Sequence, residues 1–139
     1  MEITKSHRAY FKAAKAISEL SDFKKIKIGA VAVYRHRIIS TGYNTYRTCP
    51  LQKKYNKYRF TEETCNHSEH AEVSCIKPLM ARKDIDFSRV SLYIYREYKD
   101  GTLALSRPCP SCMALIKDLG IKQIYYTNHG GYSYEEILR

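Results

Sequence analysis

Residues 90–96 (VSLYIYR) and 122–127 (KQIYYT) are two short runs of β-branched and aromatic residues, and between them lies a segment from Cys109-Pro110 to Gly120. The two runs predict β-strands. Proline at the first helical position and glycine just past the last one are typical of helix ends, so the segment predicts a helix. Strands joined through a helical crossover are expected to pair in parallel.

The preceding part of the chain predicts a helix and a hairpin. Apolar residues over 6–20 recur at helical spacing, which indicates one buried stripe. Residues 27–34 (KIGAVAVY) and 37–43 (RIISTGY) flank a two-residue turn and predict paired strands. Residues 44–66 show no clear hydrophobic period and are interpreted as a loop. The loop is longer than most, which favours a functional role.

Two further helices complete the prediction. One is expected to begin at residues 66–68 and to run to residue 76, and Ser133 with Glu136 forms a capping-box pattern for a short C-terminal helix. Residues 102–106 are a candidate short strand. The order α-β-β-α-β-α-β-α predicts an α/β fold of one domain over residues 1–139, with a central mixed sheet of about five strands in a three-layer α-β-α arrangement.

Composition bounds the function class. The chain has 139 residues, 44% of them hydrophobic, and no apolar run long enough for a membrane helix, so we expect a soluble, cytoplasmic protein without a membrane partner. Five cysteines, an odd number, favour metal binding, redox chemistry or buried free thiols over a disulfide framework.

The formal net charge of +10 is unevenly distributed. Residues 1–60 contain 14 basic and 3 acidic side chains (net +11), and residues 61–139 contain 10 basic and 11 acidic ones (net −1). Such a field favours an anionic partner, either a nucleotide or a polynucleotide.

Two clusters of reactive residues stand at predicted helix starts. Cys109 and Cys112 are three residues apart, on one helical face, and the other cluster is His70-Ala71-Glu72. Two thiolates and one imidazole would supply three zinc ligands and leave a fourth position for water, the pattern of a catalytic zinc site. Glu72 could then move protons, provided that His70 lies in the first helical turn. The alternative for the two cysteines alone is a redox pair.

The motifs H-x-E and P-C-x-x-C in this order are the signature of zinc deaminases. With Gly42-Tyr43-Asn44 after the hairpin and residues 120–126 (GIKQIYY), the chain resembles the cytidine deaminase-like superfamily. It looks closest to the branch that holds deoxycytidylate deaminases and tRNA adenosine deaminases. The resemblance implies the cytidine deaminase-like fold, a Zn²⁺ cofactor and self-association into homo-oligomers.

The resemblance also implies roles for single residues. His70, Cys109 and Cys112 would hold zinc, and Glu72 would be the catalytic proton carrier. Asn44 matches a family asparagine that contacts the sugar, and the Ala71 backbone N–H would reach the carbonyl of the base.

Substrate identity is less constrained. Arg47, Lys54 and Arg107 are candidate phosphate contacts, and a closed pocket near them would favour a mononucleotide, whereas an open basic groove would favour a strand. Residues 53–60 (KKYNKYRF) interleave cations and aromatics, and are interpreted as a solvated loop, a phosphate clamp or a stacking surface.

The remaining cysteines have two interpretations. Cys49, Cys65 and His67 are candidates for a second, structural zinc site, but no fourth ligand is evident and free thiols are the alternative. Cys75 is predicted to lie in the core.

The leading functional hypothesis is zinc-dependent hydrolytic deamination of a cytosine nucleotide such as dCMP. The alternative is a polynucleotide deaminase that acts on cytosine in single-stranded DNA or on adenosine in tRNA. A zinc-containing binding module without catalysis is disfavoured, because all four central site residues are present.

Overall fold

A computed structural model describes residues 1–47, 49–58 and 68–138 of the chain. Its regular elements are α1 (Lys5–Ser18), β1 (Ile28–Tyr34), β2 (Arg37–Tyr43), α2 (Pro50–Tyr55), α3 (Ala71–Ile76), β3 (Ser91–Arg96), α4 (Pro110–Leu119), β4 (Gln123–Asn128) and β5 (Gly131–Glu136). Short 3₁₀ turns occupy Asn56–Tyr58, Lys77–Leu79 and Phe87–Arg89. No helix in the described ranges is long and apolar enough to cross a membrane.

The strands form one mixed sheet in the order β2-β1-β3-β4-β5. β1 pairs antiparallel with both β2 and β3, β3 and β4 run parallel, and β4 and β5 are antiparallel. The turn between β1 and β2 consists of Arg35 and His36, both with positive φ (51° and 65°), the conformation that a two-residue hairpin turn requires. The predicted hairpin and the predicted parallel pair are both confirmed.

The two faces of the sheet are covered by different helices. Alternation along β1 directs Val31 and Val33 towards α1, where Phe11 packs against them. The other face of the sheet, which includes Leu92 and Ile94 of β3, packs against residues of α3 and α4. The predicted three-layer α-β-α fold is therefore confirmed.

The predicted C-terminal helix is wrong, because its residues form β5. Gly131 has φ of 147°, which glycine adopts readily, and it allows the chain to turn back along β4. Tyr132 packs on Phe11 of α1, and Tyr134 packs on Tyr125 of β4. An alternating polar and aromatic strand also satisfies the Ser-x-x-Glu pattern, so the capping signal was ambiguous.

The predicted loop over residues 44–66 contains the unpredicted helix α2. Cys49 is its N-cap and accepts a hydrogen bond from the Gln52 backbone N–H (3.5 Å), with Pro50 in the first turn. Tyr55 is buried, and its hydroxyl donates to Asp118 of α4 (2.7 Å), which joins α2 to the core. This short helix escaped the periodicity analysis because it spans fewer than two turns.

Two boundaries also differ from prediction. The helix expected from residues 66–68 begins at Ala71, with His70 as its N-cap. The short strand expected at residues 102–106 is reduced to a single bridge between Glu97 and Leu103. The later start of α3 matters for the site, because it places His70 and Glu72 around the helix end.

Candidate zinc and catalytic site

His70 is held by its backbone at the start of α3. Its N–H donates to Oε1 of Gln52 (2.9 Å), and its carbonyl accepts from the Ser74 N–H (3.0 Å). The preceding residue, Glu69, forms a two-way backbone bridge with Thr45 just after β2 (both 3.0 Å). The His70 side chain makes no cap hydrogen bond to the helix, and its Nδ1 faces the thiols of Cys109 and Cys112.

α3 lies unusually close to β2, and Gly42 permits this approach. A Cβ atom on Gly42 would fall 2.3 Å from the Cys75 backbone nitrogen and 2.5 Å from the Ala71 carbonyl oxygen. These are backbone atoms and cannot rotate away. Any larger residue would therefore push α3, with His70 and Glu72, away from the sheet.

The second set of candidate ligands stands at the start of α4. Cys109 is the N-cap and makes no side-chain cap hydrogen bond, and Cys112 is fully buried in the first turn. Their sulfur atoms lie 3.4 Å and 3.3 Å from Nδ1 of His70. A tetrahedral zinc ion would hold nitrogen and sulfur ligands about 3.6 Å apart, as its usual bond lengths require. The three side chains therefore fit a zinc ion, and they form the one potential metal-binding group among the described His, Cys, Asp and Glu residues.

The pKa values of the two thiols are shifted in opposite directions. A hydrogen bond with Cys112, together with the neighbouring His70 and Ser111, lowers the pKa of Cys109 to about 3. The same contact with Cys109, and burial, raise the pKa of Cys112 well above its usual range. The pair thus shares one proton, and metal binding would displace it, since zinc takes thiolate ligands.

Glu72 is the acid that faces this cluster. Its side chain is buried, with 5% of the residue exposed, and it lines the same cleft as His70 and Cys109. Burial raises the pKa of Glu72 to about 6, partly offset by the nearby His70. Side chains two residues apart point in different directions in the middle of a helix. At the start of α3, however, the side chains of His70 and Glu72 line the same cleft, so the predicted position of His70 at the helix start is met.

The cluster opens into a cleft of about 270 Å³. Its lining combines apolar residues, hydroxyl and amide groups, and two arginines: Phe23, Ile26, Ile28, Leu105, Asn44, Ser68, Ser106, His70, Glu72, Cys109, Arg96 and Arg107. The apolar wall and the convergent polar groups suit a small planar polar ligand.

Asn44 lies in this cleft, where its amide joins β2 to the start of β1. Oδ1 accepts from the Ile28 N–H (2.9 Å), and Nδ2 donates to the Ile26 carbonyl (2.8 Å). One N–H of the Asn44 amide is not used in these contacts. Ala71 is fully buried as the first residue of α3.

The three predicted phosphate contacts are not brought together. Arg107 lines the cleft, whereas Arg47 and Lys54 are exposed and do not line it. Lys54 lies over the ring of Tyr55, with its Nζ 5.6 Å from the ring centroid.

The other cysteines are accounted for only in part. Cys49 caps α2, while Cys65 and His67 lie outside the described residues, so the second zinc site stays a prediction. Cys75 is buried as predicted, and burial raises its pKa to about 12.

Sequence reasoning missed three residues around the site. Gln52 holds the His70 backbone, and its signal was the Cys-Pro pair at residues 49–50, which marks a helix start like that at residues 109–110. Arg96 lines the cleft from the end of β3. Glu135 contacts Arg107 from β5, and it was missed because that segment was predicted to be helical.

Comparisons with known proteins agree with this geometry. A family model described as the cytidine and deoxycytidylate deaminase zinc-binding region matches residues 4–128. The structure of the apo dCMP deaminase from cyanophage S-TIM5 is 26% identical over 87% of this chain and 81% of that one, with a TM-score of 0.62. The same enzyme in complex with dCMP and dUMP is 23% identical over 91% and 83% (TM-score 0.62).

A third solved structure is more distant in sequence. The cytidine deaminase from Burkholderia pseudomallei is 17% identical over 94% of this chain and 91% of that one, with a TM-score of 0.64. At this identity the likeness concerns the fold alone. A search of curated protein sequences found no match.

Proposed function

The chain belongs to the cytidine and deoxycytidylate deaminase family, and we propose that it deaminates a cytosine nucleotide hydrolytically, with dCMP as the first substrate to test. As a member of that family it is a zinc-dependent deaminase, a hydrolase of C–N bonds. The observation that carries the proposal is the convergence of His70, Cys109 and Cys112 beside the buried carboxyl of Glu72.

Support for a nucleotide substrate comes from two sources. The S-TIM5 relative is named as a dCMP deaminase, and one of its structures contains dCMP and dUMP. In this chain, Arg96 and Arg107 line the cleft beside the candidate zinc ligands, and a guanidinium group in such a cleft suits a phosphate group.

His70, Cys109 and Cys112 would hold the zinc ion, through one imidazole nitrogen and two thiolates. When bound, the ion activates a water molecule for attack on the ring carbon that carries the amino group. The start of α4 favours the thiolate form at Cys109, because the positive end of a helix stabilises a negative charge.

Glu72 would transfer the protons. It accepts one from the attacking water, delivers it to the ring nitrogen, and passes a proton to the departing amino group, so that cytosine and water become uracil and ammonia. Its place in the cleft wall allows one carboxyl to serve each of these atoms in turn. Asn44 would contact the sugar, and the Ala71 N–H would donate to the carbonyl oxygen of the base.

The test is ammonia release from a panel of cytidine, CMP, dCMP, dCTP, single-stranded DNA and tRNA. Wild-type protein is expected to be most active on a cytosine nucleotide. Glu72→Gln should lose activity while it retains bound zinc, measured by metal analysis. Glu69→Gln is the matched control, because Glu69 is also buried but pairs with Lys77 (2.8 Å) and does not line the cleft. Undiminished activity in Glu72→Gln would refute the mechanism.

A second candidate, deamination of a base in single-stranded DNA or tRNA, has an observation in its favour. Lys24, Lys25, Lys27 and Lys99 line a groove with Tyr98. The groove adjoins the cleft, since Phe23 and Ile26 of the same loop line the cleft itself. Phe23 also stacks on the exposed Tyr46 (ring centroids 4.1 Å apart). Cations and exposed rings at a cleft mouth suit a nucleic-acid strand.

The two candidates differ in their response to salt. Binding of a strand by several lysines releases counterions, so affinity for single-stranded DNA or tRNA should fall steeply between 50 and 200 mM salt. Edited bases should then appear on sequencing of the incubated nucleic acid. The second candidate is excluded if the protein deaminates a mononucleotide independently of salt, shows no salt-dependent binding of nucleic acid and leaves no edited bases.

A further inference from the structure

Two arginines line the catalytic cleft, and their surroundings differ. Arg96 is the last residue of β3, and Arg107 stands two residues before Cys109. Both are within the wall that also contains Glu72. The question for substrate recognition is which of the two can accept an additional negative charge.

Arg107 is already paired with a carboxylate. Its Nε and Nη2 donate to the two oxygens of Glu135 on β5 (2.9 and 2.8 Å). The Tyr126 hydroxyl donates to the same carboxylate (3.1 Å), and the Arg107 guanidinium and this hydroxyl lower the pKa of Glu135. The pair therefore carries no net charge at neutral pH, and a phosphate at Arg107 would lie beside a carboxylate.

Among the residues that the structure describes, Arg96 has no carboxylate partner. Its backbone is anchored, since its N–H donates to Oγ1 of Thr127 (3.2 Å) and its carbonyl accepts from the Ala104 N–H (3.0 Å). Its guanidinium makes one long contact with a neutral group, the Leu105 carbonyl (3.4 Å), and lies over the Tyr98 ring at 5.9 Å. Within the described segments, no carboxylate forms an ion pair with Arg96.

We propose that Arg96, and not Arg107, binds the phosphate of the substrate and gives the enzyme its preference for a nucleotide over a nucleoside. This rests on the proposed deamination of a cytosine nucleotide. A guanidinium on an anchored strand end presents a free edge with parallel N–H groups, which matches two phosphate oxygens. Arg107, which is paired with Glu135 of β5, instead fixes the position of the segment that precedes Cys109.

The electrostatic surroundings strengthen this assignment. The groove of Lys24, Lys25 and Lys27 lies on the Tyr98 side of Arg96 and adds to the positive field there. Two carboxylates, Glu19 and Glu97, line that groove against four lysines, and Glu97 accepts from the Tyr95 hydroxyl (2.7 Å) and lies 3.8 Å from Lys15. A phosphate dianion that approaches Arg96 thus meets a surplus of cations.

The test compares dCMP with deoxycytidine, which lacks only the phosphate. In Arg96→Gln, kcat/KM for dCMP should fall about 10- to 100-fold, the value of a charge-assisted contact, mainly through KM. The value for deoxycytidine should change less than about threefold. Arg96→Lys should recover part of the preference, since it restores the charge without the bidentate edge. Arg107→Gln is the matched control, and it should alter both substrates to the same extent.

A binding measurement separates this inference from the proposed function. Calorimetric titration of zinc-loaded protein with dUMP and deoxyuridine should show tighter binding of dUMP, and Arg96→Gln should remove the difference. If wild-type protein deaminates neither substrate but this difference is present and lost in Arg96→Gln, the proposed function fails and the Arg96 assignment stands.

Three outcomes would overturn the assignment. One is an equal loss for both substrates in Arg96→Gln. Another is a phosphate preference that disappears in Arg107→Gln and persists in Arg96→Gln. The third is wild-type protein that binds dUMP no more tightly than deoxyuridine.

Discussion

The starts of α2 and α4 are built from similar sequences but play different parts around His70. Residues 47–52 read RTCPLQ, and residues 107–112 read RPCPSC. In both, the cysteine is the N-cap and the proline stands in the first turn. The third helical residue reaches His70 in both cases: Gln52 binds its backbone N–H (2.9 Å), and Cys112 approaches its ring nitrogen (3.3 Å).

The difference lies in what each N-cap thiol does. Cys49 accepts the Gln52 N–H and so serves its own helix, whereas Cys109 makes no cap contact and turns its sulfur towards His70 (3.4 Å). The start of α2 therefore holds the backbone of His70, and the start of α4 contacts its imidazole ring. The same Cys-Pro motif can therefore cap its own helix or present a candidate metal ligand, depending on whether its thiol contacts the helix backbone or a neighbouring histidine ring.

The largest effect is expected from removal of the ligand in α4. Cys112→Ala leaves only two of the three candidate zinc ligands, so bound zinc and ammonia release should both be lost, measured by metal analysis and an activity assay. Circular dichroism would show whether the fold persists. Normal zinc content in this variant would contradict the assignment of α4 as the ligand-bearing helix.

An intermediate effect is expected from the corresponding residue of α2. Gln52→Leu leaves the partly buried His70 N–H without an acceptor, which costs about 1–3 kcal/mol of unfolding free energy. Loss of a group that orients a metal ligand should also weaken zinc binding about 10- to 100-fold. Urea unfolding and competition with a chelator measure the two quantities.

The control for this variant keeps the acceptor. Gln52→Glu retains an oxygen for the His70 N–H and should preserve most of the zinc affinity. If both substitutions left zinc affinity unchanged, the start of α2 would have no part in positioning His70.

A smaller effect is expected at the N-cap of α2. Cys49→Ala removes a cap and should cost about 0.5–1 kcal/mol, whereas Cys49→Ser supplies a better one and should be neutral or stabilising. If Cys49 serves only as the cap of α2, zinc content should be unchanged in both variants, whereas the second zinc site would show as a loss of zinc. The same substitutions at Cys109 should remove zinc. Loss of zinc in the Cys109 variants but not in the Cys49 variants would confirm the comparison, and equal zinc content in both would contradict it.

The smallest effect concerns the arginines that precede the two motifs. Arg107 pairs with Glu135, and the pair lowers the pKa of Glu135, whereas Arg47 is exposed. A lowered carboxyl pKa contributes stability that is present above the usual value of 4.5 and is lost as pH falls through the lowered pKa. Because the pair is partly exposed, we expect about 1 kcal/mol or less.

Unfolding at pH 7 and pH 3 tests this. Wild-type protein should lose more stability than Glu135→Gln between the two pH values, so the difference between the two proteins should be smaller at pH 3 than at pH 7. Arg47→Gln should show the wild-type pH dependence. An identical pH dependence in Glu135→Gln would show that the pair contributes nothing.

Where prediction and structure agree, the deciding signal was local. The hairpin followed from alternation and a two-residue turn, and α4 followed from Pro110 and Gly120 at its ends. The proximity of the three candidate zinc ligands, His70, Cys109 and Cys112, followed from the residue types and spacing of the two motifs. These signals act within a few residues, so a single sequence displays them.

Where prediction failed, the deciding contacts were distant in the chain. β5 is a strand because it pairs with β4 and packs its tyrosines on α1, not because of its own propensity. α2 is a helix too short to show a period, and it is held in place by the contact of Tyr55 with Asp118. Such contacts are invisible to an analysis of local pattern, because tertiary packing overrides weak local preference.

The amino-acid sequence by itself determined which side chains are the candidate zinc ligands and the candidate proton carrier, and it determined the strand-helix-strand unit that carries half of them. Only the tertiary structure decided their surroundings. It brought the Gln52 side chain to the His70 backbone, placed Glu135 on Arg107, and gave Arg96 no carboxylate partner among the described residues. Reactivity is a property of residue types, whereas charge balance and orientation depend on which distant residues the fold makes neighbours.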